Sequence, residues 1–227
     1  GLFNAILPAK AQTNGLTLAD YPQGTGVGSV KLTNAGVLSL AVRLADDTSV
    51  TVSVPLCDRS GSTYEAPLFA QIYGGRGSFG GLLVLDASQT DSDMKAVDCL
   101  WYRPWLNAMQ WYPWGWEEGV RTDLYVSSYN PARSGGVVPG LPAAGSQGNA
   151  DLVFSGGLLA ADVAARLAIS GTNTVTPVTT AGAADVKSYS VKLNAGTGEL
   201  GGTFTHSDGT KPKFNGRVYQ KGPLAGA

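Results

Sequence analysis

Histidine is nearly absent from this chain, cysteine is scarce and charge is thin. A single histidine, His206, and two cysteines, Cys57 and Cys99, are too few nitrogen and sulfur donors to build a zinc site. No G-x-S-x-G string sets a nucleophile in a strained elbow, so the lone histidine has no serine to activate. Charged residues make up 15% of the sequence, against roughly a quarter in an average domain. Sixteen Lys and Arg offset seventeen Asp and Glu for a net charge of -1. The basic residues are scattered, so the positive stripe that neutralises phosphates is missing and nucleic acid is not an expected partner. No apolar run approaches the ~20 residues of a membrane-crossing helix. The start at Gly1, without a signal-like segment, reads as a mature or trimmed product. No metal and no cofactor are expected.

What the chain does have is glycine, proline and apolar residues: 31 Gly, 12 Pro and 43% hydrophobic composition over 227 residues. That is enough to bury a full core between many turns. From Ser29 the string "SVKLTNAGVLSLAVRLADDTSVTVSVPLC" alternates with period two. Leu38, Leu40, Val42 and Leu44 share one face, and Val50, Val52, Val54 and Leu56 resume the pattern after "ADDT". This predicts a three-stranded meander over 29–57 with turns at "TNAG" and "ADDT".

Near the other end, "SVKLNAGTGELGGTFTHSDGTKPKFNGRVYQ" repeats the plan. "SVKL" recurs at Ser190, Leu200 takes the place of Leu38, and Phe214, Gly216 and Val218 fall where Val52, Val54 and Leu56 fell. The shared stretch is about thirty residues, which predicts two related meanders, 29–57 and 190–220, rather than a repeat array. His206 then falls at the position of Leu44 and reads as a partly buried or strand-end histidine. Between the meanders the segments are short, β-rich and bounded by Gly, Pro, Asn or Asp. In "GGLLAADVAARLAISG" both periods fit, and the alternation of Val163, Ala165, Leu167 and Ile169 favours a strand. The predicted fold is all-β: one domain over 1–227, an antiparallel barrel or closed sandwich of about ten to twelve strands.

Several motifs resolve into structural roles. "GGRGSFGG" matches the spacing of a dinucleotide fingerprint, but strand-like "LLVLDAS" follows it instead of a helix, so it predicts a glycine-relieved bend or bulge. The carboxylates of "LADDTS" and "TDSDMK" lack calcium-loop spacing and read as surface turns. Adjacent Glu117 and Glu118 cannot face a common cleft as a glycosidase pair. Cys57 and Cys99 read most simply as a disulfide, contributing about 4 kcal/mol by the chain-entropy model in an oxidising compartment. Two buried free thiols are the alternative reading.

The concentrated signal is "LWYRPWLNAMQWYPWGWEEG", Leu100 to Gly119, where all five tryptophans fall within sixteen residues. Read as extended chain, it puts Tyr112, Trp114 and Trp116 on one face. Five such rings overfill one side of a small core, so some are expected to be exposed. Trp105, Trp111, Trp114 and Trp116 are the candidate contact residues, with a plug at the end of a barrel as the competing reading.

The strings "VKLTNAGVLSLAVRLADDTSVTVSVPL", "IYGGRGSFGGLLVL", "LWYRP" with "YPWGW", "LVFSGG" and "GELGGTFTHSDGTKPKFNGRVYQKGPLAGA" cover most of the chain. In them the chain resembles an uncharacterised β-rich terminal domain of large secreted and surface proteins of bacteria. The resemblance implies an exported, extracellular or cell-surface all-β module and carries over no catalytic residue. Members of that family tend to continue into one more closing strand, so an open sheet edge able to recruit a neighbouring copy is expected here. The leading expectation is a non-enzymatic structural or interaction protein, a self-assembling surface or filament subunit whose partners are copies of itself or other surface proteins. The alternative is a polysaccharide-binding module using the tryptophans, and a third reading is a hydrolase with Glu117 or Glu118 as its acid.

Overall fold

A computed structural model describes residues 1–86, 88–106, 112–155, 162–178, 188–205, 209–222 and 225. The fold is all-β, as the alternation predicts: fifteen strands and one short 3-10 turn make up the regular structure of the described residues. The chain divides into two compact units, Gly1–Ser128 and Tyr129–Ala227.

The first unit contains β1 (Leu2–Leu7), β2 (Gly26–Leu32), β3 (Val37–Arg43), β4 (Ser49–Pro55), β5 (Cys57–Ser60), β6 (Thr63–Ile72), β7 (Gly77–Asp86), β8 (Met94–Arg103) and β9 (Trp116–Ser128). They form one antiparallel sheet in the order β4-β3-β2-β1-β9-β8-β7-β6-β5. The sheet curls until β4 runs alongside β6, giving a nearly closed, barrel-like unit. Register follows the apolar pattern. Val30 lies opposite Leu40, and Leu40 opposite Val52, so three neighbouring strands point buried side chains into one interior. Phe79, Leu83, Met94, Leu124 and Val126 fill it from the other strands, each burial contributing ~1.5–3 kcal/mol before entropy is counted. In "GGRGSFGG", Gly74 and Gly75 turn the chain with φ of 67° and 85°, and the ladder of β7 with β8 shifts register just beyond Gly80.

The second unit contains β10 (Ala150–Phe154), β11 (Val163–Ile169), β12 (Val175–Val178), β13 (Ser188–Asn194), β14 (Glu199–Thr205) and β15 (Lys213–Arg217). They make two three-stranded antiparallel sheets, β10-β11-β12 and β13-β14-β15. The ambiguous segment at 163–169 is a strand, its alternate residues Val163, Ala165, Leu167 and Ile169 all buried. Phe154 stacks on Phe204 at 4.6 Å and meets Phe214 edge-on at 5.0 Å, joining the two sheets of this unit.

The two meanders share a register. Leu38 pairs with Val54 and Leu40 with Val52 in the first; Leu200 pairs with Gly216 and Gly202 with Phe214 in the second. Even the closing bond is common to both, Leu56 N–H to Gly36 O and Val218 N–H to Gly198 O, each 2.8 Å. His206 lies outside the described residues.

The expected Cys57–Cys99 disulfide is not formed; both thiols are free. Cys57 is exposed on β5, while Cys99 is buried on β8 and packs against Gly81 of β7. Two strands, β6 and β7, separate them in the sheet. At ~4.8 Å per strand that gap is about twice what a disulfide can span. Burial pushes the Cys99 thiol up to about 12, so it behaves as a small hydrophobe.

Candidate functional site

β8 ends at Arg103 and β9 begins at Trp116, so the tryptophan-rich string runs from the end of one long strand, across the connection between them, into the start of its neighbour. The alternation of β8 turns Cys99, Trp101 and Arg103 inward, and Trp116 heads the inward row of β9. Trp101 and Trp116 are buried and meet edge to face, centroids 4.6 Å apart. Tyr112 packs edge-on to Trp116 at 6.2 Å.

Beneath these rings sits a buried ion pair. The Arg103 guanidinium donates to Asp46 Oδ2 at 3.3 Å, and the two side chains are only 1% and 4% exposed. It also lies over the Trp116 ring, 4.6 Å from its centre, and donates to the Tyr112 carbonyl. The Tyr73 hydroxyl donates a hydrogen bond to Asp46 Oδ2 at 2.5 Å and accepts one from the Trp101 indole N–H at 3.0 Å. Burial, together with the neighbouring carboxylate, pushes the Tyr73 phenol far above its ordinary value, so it stays a neutral donor. The "LADDTS" turn is therefore not simply a surface feature: Asp46 is drawn inside by Arg103, a partner distant in sequence. A strand-parity reading of "LWYRP" points Arg103 inward, and that is the one signal of the pair in the sequence.

Trp105 and Trp114 lie outside this plug. They are 50% and 76% exposed, and their rings stack with centroids 6.3 Å apart and planes 16° from parallel. The described residues on either side of them are hydrogen-bonded to one another. Leu106 is buried, and its N–H bonds the Pro113 carbonyl at 2.9 Å. The Gly115 N–H bonds the Tyr112 carbonyl at 3.0 Å. Gly115 has φ +67°, and a Cβ there would stand 2.4 Å from the Arg103 carbonyl oxygen, so only glycine fits.

The cluster thus answers both sequence readings at once: Trp101 and Trp116 are the plug, Trp105 and Trp114 the exposed pair. Trp116, grouped by sequence with the contact residues, is corrected to the core because it is 1% exposed. The reason is Gly115. Its left-handed backbone breaks the extended alternation that would have kept Trp114 and Trp116 on one face. Trp111 lies outside the described residues. Glu117 and Glu118 follow directly and are exposed. Among the described residues no three His, Cys, Asp or Glu side chains gather into a metal-binding group. No protein-family model, curated protein or solved structure matches the chain.

Proposed function

We propose that this chain is a non-enzymatic, extracellular or cell-surface interaction protein that makes contact through the Trp105–Trp114 pair. One observation carries the reading: two indoles left largely in solvent beside Tyr112, whose carbonyl is held by the buried Arg103 and whose ring packs on the buried Trp116. Leaving so much aromatic surface in water is unfavourable, and exposed aromatic side chains of this kind mark contact surfaces. The resemblance to terminal domains of secreted and surface proteins supplies the setting. Adsorption of the purified protein to isolated envelopes of the cells that make it tests the reading. Wild type is expected to adsorb and Trp105→Ala/Trp114→Ala to lose most of that adsorption. Equal adsorption of the two, or none by wild type, would overturn it.

Self-assembly into a surface or filament subunit is the second reading, favoured by a different surface. On the outer faces of β6, β7 and β8, Phe69, Leu82, Val97 and Leu100 are 65%, 46%, 58% and 39% exposed. Phe69, Gly80 and Leu100 occupy one cross-strand row. Sedimentation of wild type and Phe69→Ser/Leu100→Ser over a concentration series tests it: concentration-dependent growth lost in the variant supports assembly, and a strict monomer counts against it.

A further inference from the structure

We infer that the Trp105–Trp114 pair takes a neutral polysaccharide, stacking on the flat faces of its sugar rings. This rests on the preceding reading of the pair as the contact surface and adds the chemistry of what it contacts.

Three observations select that chemistry. The first is shape. Two indoles within 16° of parallel offer flat aromatic surface, which suits the flat C–H faces of pyranose rings.

The second is area. A large aromatic side chain buries ~150–250 Å² at most. Two rings that are half and three-quarters exposed therefore offer about 300 Å² together, well below the ~800 Å² per partner of a stable protein interface. Among the described residues, those next to them in sequence do not extend the patch. Leu106 and Trp116 are buried, while Glu117 and Glu118 are exposed and charged. The other exposed large apolar residues of this unit among those described, Leu18, Tyr64, Phe69, Leu82, Val97 and Leu100, belong to other segments of the chain and not to the 104–115 connection.

The third is charge. Neither Lys nor Arg occurs at 104–118, and the cation that precedes this stretch in sequence, Arg103, is buried against Asp46. Glu117 and Glu118 repel phosphate, sulfate and uronate groups, while their carboxylates accept hydrogen bonds from sugar hydroxyls. A neutral, hydroxyl-rich polymer satisfies shape, area and charge together. An anionic polymer fails the third, and a second copy of the chain fails the second.

Affinity electrophoresis in native gels tests this. The gels contain a neutral polysaccharide (hydroxyethyl cellulose, xyloglucan, galactomannan or laminarin) or an anionic one (alginate or heparin), and wild-type indole fluorescence is titrated with the same polymers. At least one neutral polymer is expected to retard the wild type and alter its fluorescence. Trp105→Ala and Trp114→Ala should each weaken retardation about tenfold or more, with Trp114→Phe intermediate and the thermal midpoint unmoved. Retardation unchanged in both alanine variants would overturn the assignment to this pair. So would retardation by the anionic polymers alone, or Trp114-dependent self-association in the absence of glycan. If no neutral polymer binds while envelope adsorption remains tryptophan-dependent, the polysaccharide is refuted and the contact surface stands. If envelope adsorption is also independent of both tryptophans, the contact surface falls with it.

Discussion

Arg103 and Asp46 form an ion pair in the interior of the first unit, Nη1 to Oδ2 3.3 Å, with both side chains almost wholly withdrawn from water. A pair this deep adds little net stability, because desolvating two charges offsets most of their attraction, yet removing one partner strands the other. Arg103→Met is therefore expected to destabilise the first unit by about 3–5 kcal/mol, read from the urea midpoint. Arg103→Met/Asp46→Leu should recover part of the loss. A single variant within about 1 kcal/mol of wild type would contradict a buried pair.

Because Arg103 also donates to the Tyr112 carbonyl, the plug and the exposed pair are mechanically joined through the loop. Gly115 is the other joint. Gly115→Ala forces a Cβ against the Arg103 carbonyl at a positive φ, at a cost of about 1–3 kcal/mol for the strained backbone alone. Its envelope adsorption should fall toward that of Trp114→Ala although both indoles are still present. Full adsorption with unchanged stability would show that the loop does not need this geometry.

The free thiols predict a simple chemical asymmetry. Cys57, exposed, should react at once with a thiol reagent such as dithiobis-nitrobenzoate, and Cys99 only after unfolding. Reductant should leave the thermal midpoint unchanged. Peptide mapping under non-reducing conditions that finds Cys57 joined to Cys99 would contradict the sheet order of β5 to β8.

Acid stability should depend on Lys10, which bridges Asp98 at 2.5 Å and Asp123 at 2.9 Å. Burial alone would push the Asp123 carboxyl up, but the Asp98 backbone N–H and the Lys10 ammonium together hold it below its ordinary value. A carboxyl lowered on folding stabilises above its unfolded value, about 4, and that contribution disappears as pH falls through the folded value. Lys10 itself is raised, by Asp98 first and then Asp123, so its share is present below its ordinary value and lost only in strong alkali. Asp123→Asn should therefore flatten the fall in thermal midpoint below about pH 4. An acid limb as steep as that of wild type would refute the bridge.

The meanders were legible because β alternation and turn residues point to the same structure: Leu38, Leu40, Val42 and Leu44 are all buried as their spacing predicts. The repeat was legible down to register, since Leu38 with Val54 and Leu200 with Gly216 need only equal strand and turn lengths. Three features were not. The placement of Trp116 turns on the left-handed φ of Gly115, and an extended reading of "WGW" has no access to it. The burial of Asp46 depends on a partner from a strand far along the chain, and local turn chemistry cannot reveal that. The separation of Cys57 from Cys99 follows from sheet order, which two cysteine positions do not encode.

Hydroxyl-radical footprinting, read tryptophan by tryptophan on the free protein and on protein adsorbed to envelopes, tests the division of the cluster most directly. Trp105 and Trp114 are predicted to oxidise readily when free and to become protected on adsorption, with Trp101 and Trp116 protected in both states. Oxidation of Trp101 or Trp116 in the free protein, or undiminished oxidation of Trp105 and Trp114 in the adsorbed one, would contradict a buried plug carrying an exposed contact pair.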